Sequence, residues 1–73
     1  MTRREFAALL KLQGLFLLMC DVRFGVHTDE QKLFAADVVT EDYTVVTEGV
    51  PAKTPAGAIQ RTIARHYKKH ANH

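Results

Sequence analysis

Seventy-three residues make one domain, and a chain of this length buries roughly 60–65% of the surface its unfolded form exposes, so its core is thin. Hydrophobic residues supply 47% and charged residues 25%, which excludes intrinsic disorder and predicts a folded domain. A formal charge of +2 is too small to mark a nucleic-acid-binding protein unless the cations gather on one face, and the single cysteine, Cys20, excludes an internal disulfide and points to a reducing compartment, the cytoplasm.

The chain opens on Thr2-Arg3-Arg4-Glu5-Phe6, a segment similar to a twin-arginine export motif. Lys11, Gln13 and Gly14 break the apolar run behind it, no small-residue cleavage site follows, and the run is shorter than the roughly 20 apolar residues a membrane span needs. Neither export nor a membrane partner is expected. Thr2 and Glu5 instead have the spacing of a capping box, and Phe6, Leu9, Leu10 and Gln13 fall at i, i+3, i+4, i+7, so a helix is predicted over about residues 3–13 with Gly14 as its left-handed terminator.

From Leu15 the period changes to two, which predicts a strand over about 15–26. Phe16, Leu18, Cys20, Val22, Phe24 and Val26 lie on one side and are expected to be core; Leu17, Met19, Asp21 and Arg23 lie on the other. His27-Thr28-Asp29-Glu30 reads as a polar turn, with His27 a surface or capping residue. A second strand is predicted over about 31–40, with Phe34, Ala36 and Val38 on one face. Glu41-Asp42 reverses the chain into a third strand at about 43–50, rich in β-branched residues and ended by Gly49-Val50-Pro51-Ala52. Thr54-Pro55 then starts a helix over about 55–70, with Ala56, Ile59, Ile63 and Tyr67 as its apolar stripe and Ala71-Asn72-His73 as a frayed end.

The expected fold is therefore α+β, a single domain of order α-β-β-β-α in which a three-stranded antiparallel meander packs against two helices. Leu17, Met19, Leu33 and Val39 leave the sheet's outer side partly apolar. Either the first helix crosses to cover that side or it meets a partner, and a homodimer through the sheet face or an open edge is a further outcome.

Arg61, Arg65, Lys68 and Lys69 form a basic ridge along the second helix, with Lys53 just before it. Such a ridge can bind phosphates or an acidic protein surface, or it can be a solvated face whose late cations complement the helix dipole. His66 and His70 have i, i+4 spacing and His73 follows, yet three ligands on a fraying terminus without a Glu base make no metal or catalytic centre. Cys20 on a core face behaves as a small hydrophobe, and Asp37, Glu41, Asp42 and Glu48 fall on strand exteriors and turns. No catalytic residue, metal or cofactor is expected.

Gly25-Val26-His27, Phe34 at the start of the second strand and Glu48-Gly49 at the end of the third, together with the element order, resemble the pattern of double-stranded-RNA-binding domains. That resemblance implies the α-β-β-β-α fold and contact with RNA phosphates. The family's lysine-rich start to its second helix has no counterpart here, where Lys53 alone precedes Thr54-Pro55-Ala56-Gly57. In size the chain is also similar to small phage-encoded inhibitors, which would act in the host cytoplasm. The reading that follows is a non-enzymatic protein-binding module, an inhibitor or regulator that occupies an acidic partner surface; the alternative is a nucleic-acid-binding domain using the ridge.

Overall fold

A computed structural model of the chain describes residues 1–24 and 31–70, without the side chains of Arg23, Phe24, Gln31, Lys69 and His70. The order is α1 (Arg3–Leu12), β1 (Leu15–Phe24), β2 (Gln31–Thr40), β3 (Val45–Thr47) and α2 (Pro55–His70), and the strands form one antiparallel sheet in the order β1-β2-β3. This is the expected α+β arrangement. The turn at His27 and the tail at His73 lie outside the described residues.

Local chemistry sets the helix ends. The Thr2 hydroxyl oxygen accepts from the Glu5 amide at 3.2 Å and donates to the Glu5 carboxylate at 3.0 Å, which starts α1. The amides of Gln13 and Gly14 donate back to Leu10 and Lys11 at 2.9 and 3.1 Å, and Gly14 takes φ +74°, the left-handed closure that turns the chain directly into β1. α2 starts where Thr54 accepts from the Gly57 amide at 3.0 Å, with Pro55 at the first helical position.

Both helices lie on the same side of the sheet. Phe6 and Leu10 from α1, Ala36 and Val38 from β2, and Ile59 and Ile63 from α2 form one buried cluster, against which Leu15, Leu17, Met19 and Val46 pack. The first helix therefore does not cross to the outer face. The expected facing of β1 is reversed: Leu17 stands opposite Val38 and Met19 opposite Ala36, so the odd residues turn inward, while Phe16 and Leu18 are exposed and Cys20 is half-buried on the outer side. The apolar stripe of α2 is also shifted. Ala58, Ile59, Thr62, Ile63 and His66 are buried, whereas Ala56 and Tyr67 are exposed. Two polar residues can sit on that stripe because each has a partner: His66 Nδ1 lies 2.8 Å from the Thr47 hydroxyl, and Thr62 donates to backbone carbonyls.

The third strand is three residues long rather than eight. At its start Tyr43 adopts φ +67°, and Asp42 collects the hydroxyls of Thr40 and Thr44 and the Thr44 amide. The Thr40 hydroxyl foremost, then Thr44, hold the Asp42 carboxyl below its ordinary value. At its end the register slips between Val38 and Val39, and both Val46 and Thr47 turn toward the helices. Pairing resumes at Ala52, which exchanges two 2.8 Å hydrogen bonds with Phe34, one residue after the proline expected to end it.

In the gap, side chains replace ladder bonds. Asp37 accepts from the Gly49 amide at 2.7 Å, and the buried Thr62 hydroxyl donates to the Ala36 carbonyl at 2.5 Å. Thr62→Val keeps the shape and leaves that carbonyl without its hydroxyl donor, so a loss of about 1–2 kcal/mol is expected as a lower urea midpoint with an unchanged slope. A larger slope change would mean the native or unfolded state itself had altered.

Candidate functional site

The outer face of the sheet is built by cross-strand alignment. Phe16 of β1, Val39 of β2 and Val45 of β3 stand side by side across all three strands, and Cys20–Ala35 and Val22–Leu33 extend the same face along the hairpin. Phe16 is 46% exposed, Val45 51% and Tyr43, at the rim, 72%. Val39 is buried by these neighbours and Leu33 is half-buried, so both lie on the outer side as expected. Phe16, Leu17, Leu18, Val39, Thr40, Glu41 and Tyr43 line a cleft of about 310 Å³ there. Among the described residues, Asp37 opposite Leu18 already holds the Gly49 amide and Glu41 stands at the rim, which leaves the centre of the face apolar.

The sequence pointed to Leu17 and Met19 in place of Phe16 and Leu18. Asp21 and Arg23 share the odd positions with them, which argued for an exterior face. Those two residues sit where the β1–β2 hairpin runs beyond the helices: Asp21 pairs with Lys32 at 3.7 Å with both side chains 55% exposed, and Lys32 lies 5.4 Å from the centre of the Phe34 ring. The molecule is accordingly 44 Å long against 25 and 23 Å across. Charges on the projecting half carry no information about the covered half.

On α2, Arg61, Arg65 and Lys68 are exposed together and line, with Val50 and Ala64, a shallow groove of about 440 Å³ on the flank beside the β3 side of the sheet. Arg61 Nη1 donates to the Pro51 carbonyl at 3.2 Å, which orients the first of them. Among the described residues the ion pair present is Lys32–Asp21, so the ridge cations have no carboxylate partner there. Lys53 is exposed but precedes the helix by two residues and does not join the groove. Lys69 lies outside the described side chains, as does His70.

His66 is committed to the interior. Its ring meets Phe6 edge-on at 5.7 Å and Tyr67 at 5.8 Å, besides the Thr47 contact. No group of three or more metal-ligating side chains occurs among the described residues, and none of their helices is long and apolar enough to cross a membrane. A third depression, about 650 Å³, which the sequence did not signal, lies where the starts of α1 and α2 meet, between Thr2, Arg3, Pro55 and Ile59.

Comparison with protein-family models, with curated proteins and with solved structures finds no match to this chain.

Proposed function

We propose that the chain is a non-catalytic protein-binding module, an inhibitor or regulator that works by occupying a partner's surface, and that its main contact is the outer face of the sheet. The observation that carries this reading is the uncovered apolar face itself: two helices protect one side of the sheet and nothing in the chain's described residues protects the other. Tyr43 supports it. An L-residue at φ +67° costs about 1–2 kcal/mol relative to glycine, and the strain here presents an exposed aromatic ring at the rim of that face. The Arg61/Arg65/Lys68 groove is the second contact, for an acidic stretch of the same partner reaching around β3.

The unpaired cations favour one other reading, contact with nucleic-acid phosphates. The two differ in salt dependence and in competition, because phosphate binding releases counterions and ignores sequence. The test is affinity capture with the wild type, with Phe16→Asp/Val45→Asp and with Arg61→Glu/Arg65→Glu, beside gel shifts on random DNA and RNA duplexes at two salt levels. A captured protein lost with the face variant and weakened with the ridge variant is expected. Capture indifferent to the face variant overturns the choice of the outer face, and a salt-sensitive duplex shift abolished by the ridge variant alone overturns the reading in favour of nucleic acid. Tyr43→Asn should weaken capture while raising stability, since asparagine tolerates the left-handed backbone.

A further inference from the structure

The side of the molecule at β1 is a second uncovered surface, and it differs in kind from the outer face. β1 is ten residues long and lies at the edge of the sheet, paired with β2 alone among the described residues. Because Phe34 exchanges both hydrogen bonds with Ala52, the even residues of β2 turn their backbone groups toward β3 and the odd ones toward β1. Phe16, Leu18 and Cys20, opposite Val39, Asp37 and Ala35, are then bonded to β2, and Leu17, Met19 and Asp21 direct their N–H and C=O groups to the open edge. Proteins ordinarily blunt such an edge with lysine, proline, a bulge or a short strand. Leu15–Cys20 contain none of these, and the β1–β2 register is unbroken.

The helix above this edge is equally bare. α1 touches β1 and α2 and is the outermost helix on that side. Its buried residues are Phe6 and Leu10, while Glu5, Ala8, Leu9 and Leu12, at i, i+3, i+4, i+7, are all exposed, Leu12 to 85%. A strand edge demands another strand, and an apolar flank beside it demands an apolar helix. The chain itself carries both.

We infer that the protein associates with a second copy of itself by antiparallel β1–β1 pairing, giving a six-stranded sheet with α1 beside its copy. One two-fold axis serves both elements. Ala8 lies about 7 Å behind the turn at Gln13 at 1.5 Å per helical residue, and the same distance along β1 at 3.3 Å per residue reaches Leu17–Leu18. Charge fits as well: the Arg61/Arg65/Lys68 groove lies on the β3 side, so pairing through β1 places the two cationic flanks at opposite ends of the joined sheet, beyond a Debye length of about 8–10 Å. The axis stands perpendicular to the sheet, so both outer faces end on one side and form a bivalent surface. The inference is independent of what that surface binds.

Light scattering and amide hydrogen exchange on the purified chain from micromolar to near-millimolar concentration test it. The expected mass is twice 8.2 kDa at the upper end, with the Leu17 and Met19 amides gaining protection as concentration rises. Leu9→Glu/Leu12→Glu, on exposed positions, should weaken association at least 100-fold with an unchanged circular dichroism spectrum, and Val45→Asp, on the outer face but away from β1, should leave it intact. A monomer throughout, a dimer whose Leu17 and Met19 amides exchange at the monomer rate, or a dimer lost with Val45→Asp but kept with Leu9→Glu/Leu12→Glu overturns the proposal. None of these readouts depends on the outer-face partner, so failure here and failure of the binding-module reading are separate results.

Discussion

Replacing Gly49 by alanine is expected to remove a large part of the domain's stability. The backbone of Gly49 lies against the central strand where β3 leaves the ladder, and a Cβ built there would stand 2.3 Å from the Ala36 carbonyl oxygen and 2.8 Å from the Ala36 nitrogen and carbonyl carbon. Ordinary van der Waals contact begins more than 1 Å beyond the nearest of these, and every atom met is backbone, which has no rotamer to escape into. Relief requires segment 48–50 to lift off β2. That movement would break the 2.7 Å bond from the Gly49 amide to Asp37 and strain the two 2.8 Å bonds that join Ala52 to Phe34 three residues on. A clash plus a lost charge-assisted bond puts the expected loss at about 4 kcal/mol, in the tail of single-substitution effects. A domain of this length has roughly 4–11 kcal/mol in total, so the variant should lose between about a third and all of it, read as a urea midpoint lowered by more than about 1 M. A midpoint within 1 M of the wild type would show that Gly49 does not approach Ala36 this closely.

How much of this was legible in the sequence follows from where each signal resides. The Thr2/Glu5 box, the Gly14 terminator, the Thr54-Pro55 start and the limits of β2 are local events, decided within four residues, and they stand as the sequence indicates. The facing of β1 is not local. Both of its faces are apolar over residues 15–20, and only the pairing of Leu17 with Val38 and Met19 with Ala36 selects the inner one. The same holds for β3, whose β-branched run from Tyr43 to Val50 has strand propensity throughout. Tertiary context shortens it, through the left-handed Tyr43 at one end and the approach of Gly49 to Ala36 at the other. The α2 stripe shifted because the simple apolar count passed over Thr62 and His66, polar residues whose partners, Ala36 and Thr47, are distant in sequence. For the candidate site, Leu33 and Val39 and the grouping of Arg61, Arg65 and Lys68 were readable from periodicity; Phe16, Leu18 and Tyr43 were not, since each depends on register or on turn geometry.

Phe6→Ala is the second large effect expected, and it separates packing from helix propensity. Alanine is the better helix former, so α1 taken alone should gain slightly. In the fold, Phe6 is completely buried at the junction of both helices, edge-on to His66 at 5.7 Å and tilted on Tyr67 at 6.0 Å, within the cluster that includes Leu10, Val38, Ile59 and Ile63. Phe-to-Ala changes in such positions cost about 3–5 kcal/mol, from lost transfer energy and from the cavity left behind. The cavity is hard to close here because its walls come from three elements: α1 is held by its turn into β1, the sheet is rigid, and His66 is tied to Thr47 at 2.8 Å. At about 4–8 °C per kcal/mol for a domain of this size, the melting temperature should fall by more than about 12 °C. Leu12→Ala, six residues along the same helix and 85% exposed, loses a comparable side chain and should shift the melting temperature of the monomer by no more than a few degrees. If the two variants melted alike at micromolar concentration, the burial of Phe6 between the helices, and with it the placement of both helices on one face, would be wrong, and the outer face would lose its claim to be the exposed one.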